Sequence, residues 1–312
     1  VLSGLWSINY VILIVSIIIL FLVKLEKGKR AIFHPAGLGL LLFLGFLTRP
    51  TFAILIIIFF VYLWLKHRSI FLWAAGVSAS FLILFIIFSI NEYGSFLPPY
   101  YLFGRMELSV FPIAFKSAIL SSSRNIFVWN PFLFILPFLF YQARNSQYRR
   151  LLLVLFIAAV GMAIPMLFFP HWTLGHSYGP RGFTTSSYLF LCFGILCIGL
   201  IFNGEGKTTN FQKTLLIITF SFGVFINIQG SINPYAWYWN AYPDIDDYPE
   251  EVVFDWRYPQ FLSSRSMLEE KYGTQRTEIG LDEEPMLIPF RGSTLWLGEI
   301  SNEITVVNDL NE

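Results

Sequence analysis

Apolar residues run in long blocks along this chain, at 5–23, 36–65, 70–90, 126–142, 151–169, 186–202 and 214–230, with short polar or basic stretches between them. A helix rising 1.5 Å per residue needs about 20 mainly apolar residues to cross about 30 Å of hydrocarbon, so the blocks predict membrane-spanning helices. The block at 36–65 is interrupted by Thr48, Arg49, Pro50 and Thr51. Proline breaks a helix and drives the residue before it away from the α region. A hairpin is therefore expected there, with arms of about 13 and 15 residues that reach only about 20 Å each. Beyond 230 the pattern changes to an aromatic stretch up to about Leu262 and a more polar remainder, in which 285–290 and 294–298 read as short strands. The pattern predicts an all-α polytopic membrane protein of about eight transmembrane or half-membrane helices over 1–230, followed by a mostly irregular tail over 231–312.

Composition sharpens this picture. Of 312 residues, 55% are apolar and 13% charged, with a mean hydropathy of +0.62; soluble domains carry about 25% charge. All of the acidic residues except Glu26, Glu92, Glu107 and Glu205 follow Gly230, so the chain is an apolar body with an acidic tail. The net charge is +1 and the basic residues are scattered between apolar blocks, which sets nucleic-acid binding aside. Cys192 and Cys197 lie five apart inside one apolar block, on different faces of a helix, and read as buried packing instead of a disulfide or metal pair. The chain opens on Val1 and its first block lacks a basic leader and a cleavage site, so it does not read as a signal peptide; the natural start is expected upstream.

Basic residues fix an orientation. Lys24, Lys27, Lys29 and Arg30, then Lys66 and Arg68, then Arg144, Arg149 and Arg150, and finally Lys207 and Lys213 all belong to the cytoplasmic side under the positive-inside rule. The 36–65 hairpin then enters the membrane and returns, leaving Arg49 in the outer half of the bilayer or just above it. A cation at that depth is costly unless it is paired or lines a wet cavity. Residues 91–125 and 170–185 become outer loops, and the last span delivers the tail to that same extracytoplasmic side. Tyr93, Tyr101, Trp129, Trp172, Tyr178 and Trp239 fall at these outer boundaries, as an interfacial aromatic belt would.

The outer loops also carry the candidate chemistry. The stretch 170–182 holds His171, His176, Tyr178, Arg181 and three glycines. Glycine lets a ligand approach the backbone, and an arginine fork grips phosphate or carboxylate. With Arg49 and Arg124 this makes three cations on one membrane side, for which a lipid mono- or diphosphate head group is the natural anion; snorkelling to bulk lipid phosphate is the plain alternative for each. His171 and His176, five apart with no Cys or clustered carboxylate nearby, are a weak metal signal, since zinc sites need three or four ligands. Either histidine can instead bond a sugar or phosphate, or cap the following helix. Gly206, Lys207 and Thr208 end like a phosphate-binding loop, but Ile201 occupies its first glycine position and eleven polar residues leave no room for the required strand and helix. Asp244, Asp246, Asp247 and Asp255 match no ion-binding loop spacing and read as an acidic solvated tail; a divalent metal is conceivable but unsupported.

Several segments resemble the polytopic GT-C glycosyltransferases, the group of protein mannosyltransferases and aminoarabinose transferases. Ala36, Gly37 and Gly39, running to Thr48, Arg49, Pro50 and Thr51, are similar to one of that group's segments. The stretch 119–131 around Ser121, Arg124 and Pro131 is similar to another, with Asn125 where glycine is usual. Ser177 to Arg181 resembles a third, and Trp239, Asn240, Asp255, Trp256 and 259–262 resemble a distal outer segment. The resemblance covers most of residues 30–262. It implies inverting transfer of a sugar from a polyprenyl-phosphate carrier to a glycan, lipid or protein acceptor at the outer face of a prokaryotic plasma membrane. Arg49, Arg124 and Arg181 would be the phosphate ligands, with His176 and Tyr178 lining the pocket. In the group a carboxylate in the first outer loop serves as base; here that loop would precede the block at 5–23, so the base is unassigned. Two rival readings remain open: a lipid-linked sugar flippase or small-solute transporter, with the hairpin at Arg49 and Pro50 as its discontinuous helix, and a non-catalytic scaffold that uses the tail for interactions.

Overall fold

The computed structural model describes residues 7–28, 34–101, 106–202, 209–240 and 243–272. Five helices among them are long and apolar enough to cross a membrane: α1 (Ser7–Glu26), α4 (Arg68–Tyr93), α8 (Arg149–Ala163, extended by a 3-10 turn to Phe168), α9 (Thr184–Leu200) and α10 (Asn210–Ile232). Between α1 and α4 the chain breaks where its sequence directs. α2 (Pro35–Thr48) ends at Arg49, which is extended (φ −152°, ψ 127°), the conformation a following proline imposes, and α3 (Phe52–Lys66) returns. The arms of 14 and 15 residues are shorter than a bilayer-crossing helix. Gly39 of α2 lies so close to the Ala74 carbonyl of α4 that a Cβ there would stand 2.3 Å from the oxygen. That absence of a side chain sets the α2–α4 spacing.

The block at 126–142 is not one span. Pro131 and Pro137 remove backbone donors, and the segment folds as α6 (Ile126–Trp129), a 3-10 turn (Pro131–Ile135) and α7 (Leu136–Ala143). The segment 91–125, expected as loop, contributes α5 (Phe111–Leu120). A shared apolar core runs through α1, α2, α3, α8 and α9, with Ile18, Phe21, Leu42, Phe52, Leu55, Leu155 and Phe193 all buried. α4 is different: Ala74, Ser78 and Ser89 are its buried residues, while Leu72, Ile83, Leu84, Ile87 and Phe88 face outward, as suits contact with lipid.

Within the predicted irregular tail, residues 231–240 and 243–272 carry more helix and more buried side chains than an acidic solvated tail implies. Here α11 (Tyr235–Tyr238), α12 (Pro249–Val253) and α13 (Arg265–Tyr272) close over a second small core of Trp239, Ile245, Val252, Val253 and Leu268. The apolar side chains between the acidic residues explain the difference, since they bury together and carry the carboxylates on the outside. No strand forms among the described residues, and the predicted strands at 285–290 and 294–298 lie outside them, as does the turn at Gly206.

Candidate functional site

Three segments far apart in sequence meet at the end of the bundle where α2 turns into α3. Tyr101 donates to the Leu47 carbonyl at 2.8 Å, which brings the end of α4 over this turn. Glu107 N–H donates to Phe168 O at 2.8 Å and joins it to the end of α8. The 231–272 segment then caps the ensemble: the Ser122 backbone N–H and hydroxyl both donate to Val253 O, at 3.0 and 3.1 Å.

At the centre lies Arg124, 2% exposed, between α5 and α6. Asn125 caps α6 by accepting from Phe127 N at 2.8 Å, and this fixes the direction of the preceding arginine. All five guanidinium N–H groups are used. Nε donates to Thr173 O (2.7 Å), Nη1 to Ser123 O (3.3 Å) and Gln260 Oε1 (3.1 Å), and Nη2 to Gly175 O (3.0 Å) and Asn240 Oδ1 (3.4 Å). Gln260, wholly buried, is equally saturated: its oxygen also accepts from Gly179 N at 3.1 Å, and its amide donates to Ser177 O and Ala236 O. Burial pushes the Arg124 guanidinium down to about 9, the positive charge of Arg181 adds to that, and Asp246 opposes it. Five oxygen acceptors keep it charged at neutral pH. Arg124 therefore acts as a buried tie between the 170–182 loop and the cap, with its hydrogen bonds spent inside the protein.

Arg181 opens the turn leading into α9; its charge acts on Arg124, and the charge of Arg49 acts on it. Asp246 opposes the burial and the neighbouring positive charge at both Arg124 and Arg181. Tyr178 is wedged: its hydroxyl donates to Ile226 O at 2.6 Å, and its ring meets Trp129 edge-on at 4.5 Å. A Cβ on Gly230 would stand 2.0 Å from that ring, so Tyr178 locks the loop against α10. His176 is exposed, and its Nε2 lies 3.1 Å from Asp244 Oδ1 and 4.0 Å from Asp246 Oδ2. Burial raises the Asp244 carboxyl, but the Asp246 N–H and the bond to His176 outweigh it and hold the group below the ordinary aspartate range. His171 stays apart from this group, its ring 6.3 Å from that of Phe169.

An apolar cavity of about 480 Å³ is lined among others by Ile126, Phe127, Phe140, Phe156, Phe190 and Phe193. It runs between α6, α7, α8 and α9, which places it within the membrane-crossing layer. Sequence reasoning placed Gln260 in the resembling 259–262 segment without a role, and missed the pairing of His176 with Asp244, which lies 68 residues away; no local spacing marks that pairing. Compared with protein-family models, curated proteins and solved structures, the chain matches none of them.

Proposed function

We propose that this chain binds a polyprenyl-phosphate-linked sugar and takes part in transferring the sugar to an acceptor at the outer face of the membrane. One observation supports the reading: Arg181 is influenced by the charge of Arg49 and itself influences Arg124, and a phenylalanine-lined cavity opens beside α6, which follows Arg124. An anion with a long apolar chain satisfies both halves at once. Its phosphate meets the guanidinium forks of Arg49 and Arg181, while Arg124 adds charge from below, and its hydrocarbon lies against Phe127, Phe156 and Phe190. When the bond between sugar and phosphate breaks, negative charge grows on the departing phosphate oxygen, where fixed cations in a poorly hydrated site stabilise it most. His176, exposed on the same loop as Arg181, would be open to contact with the sugar.

The experiment is binding of a polyprenyl phosphate and of the matching uncharged polyprenol to the purified protein in nanodiscs. The phosphate should bind at least about tenfold more tightly, a difference of about 1.4 kcal/mol, and Arg181→Ala or Arg49→Ala should erase that difference. Equal binding of alcohol and phosphate by the unaltered protein would exclude the proposal.

A further inference from the structure

The exposed cluster at the rim of the cap carries an inference that goes beyond lipid-phosphate binding and does not depend on it. His176 comes from the 170–182 loop, Asp244 and Asp246 from the cap, and one donor atom of each lies within 4.8 Å of the other two. We propose that His176, Asp244 and Asp246 bind a divalent transition-metal cation that clasps the cap to the loop.

The donor set suits such an ion. One imidazole nitrogen with two carboxylate oxygens fits borderline cations such as Mn²⁺ or Zn²⁺, and three protein ligands leave positions open for water or an anion. Donors bound to one ion at about 2.0–2.2 Å stand no more than about 4.4 Å apart, so a small rotation of the exposed Asp246 side chain completes the geometry. The imidazole must offer a lone pair, so the ion replaces the proton His176 shares with Asp244.

The ligands also stand on a rigid base. The residue before His176 is Gly175, whose carbonyl is held by buried Arg124. Four residues before Asp244 is Asn240, wholly buried and bonded to the same guanidinium. Asp246 N–H donates to Asp244 Oδ1 at 2.8 Å and sets the two carboxylates side by side. The arginine tie thus anchors Gly175 and Asn240, and the N–H of Ile245, which lies between the two aspartates, donates to Asn240 O at 3.3 Å, so both halves of the cluster start from anchored backbone. The positive charges of Arg124 and Arg181 act against the ion, and the two carboxylates offset them.

The test is Mn²⁺ titration of the chelator-stripped full chain in detergent at neutral pH, followed by electron paramagnetic resonance. The expected result is one saturable ion per chain, weakened about tenfold or more in His176→Ala and in Asp244→Asn, and unchanged in Glu250→Gln, an exposed carboxylate of α12 outside the cluster. Mn²⁺ should also raise the unfolding midpoint of the unaltered chain and of Glu250→Gln only, which separates lost ligation from a misfolded variant. No saturable binding up to about 1 mM, or equal binding by His176→Ala and Asp244→Asn, overturns the proposal. The polyprenyl phosphate comparison above is run without metal, so either idea can fail while the other stands.

Discussion

The two ends of the helical bundle solve the same problem, a charged group in a poorly hydrated place, in opposite ways. At one end Glu26 accepts hydrogen bonds from Tyr62 and Lys66, with His67 Nε2 at 3.5 Å, so its carboxylate meets a cation directly and ties α1 to α3. At the other end Arg124 is surrounded by neutral carbonyl and amide oxygens, and its cationic neighbour Arg181 adds to the positive potential. The first end is locally neutralised. The second end gathers positive charge that Asp246 opposes, and under the proposed function that charge would attract an anion. Ion pairing thus serves assembly at the Glu26 end, while neutral solvation at the Arg124 end ties the loop to the cap.

Removing the central group at each end tests that contrast. Arg124→Ala strips five hydrogen bonds and leaves the oxygens of buried Thr173 and Asn240 without their donor, so it should destabilise by about 3 kcal/mol or more. The cap should separate first, seen as faster proteolysis within 233–272 ahead of the membrane helices. Arg124→Lys should recover little, because one ammonium cannot reach acceptors arrayed around a planar fork. Glu26→Gln, which keeps an acceptor for Tyr62 but loses the charge facing Lys66, should cost about 1–2 kcal/mol in thermal unfolding in detergent and leave the cap protected. Equal loss of cap protection in both variants would erase the distinction between the ends.

The smallest effect is set by pH. The Asp244 carboxyl is held below its ordinary range in the folded chain. Its contribution is therefore complete at neutral pH and disappears as pH falls through that lowered value. The pair is exposed, so about 0.5 kcal/mol is at stake. Unfolding midpoints of the unaltered chain and of Asp244→Asn should differ slightly at pH 7 and converge in acid; a constant gap would remove Asp244 from the cap's attachment.

Much of the bundle was legible because its cues are local. Pro50 following Arg49 forecast the break between α2 and α3, and the apolar blocks forecast α1, α4, α8, α9 and α10. The 126–142 block misled because its hydropathy is continuous while Pro131 and Pro137 interrupt the backbone. The tail misled in the opposite direction: its many carboxylates concealed Trp239, Ile245, Val252 and Val253, which are too few and too irregularly spaced to announce a core. Arg49, Arg124 and Arg181 could be singled out as rare cations near apolar blocks. Whether a guanidinium offers its donors to a ligand or spends them on the fold depends on Gln260 and Asn240, more than a hundred residues beyond Arg124, and no pattern along the chain encodes that.

The shortness of the α2–α3 hairpin has a mechanical consequence. Arms of 14 and 15 residues rise about 21 and 22 Å, against a hydrocarbon layer of about 30 Å. Lipid beside so short a hairpin is expected to thin locally into a dimple, which under the proposed function would bring phosphate head groups nearer to Arg49. Membrane thickness then becomes a control variable: stretching the lipids with longer acyl chains deepens the mismatch and raises the work of keeping that dimple open.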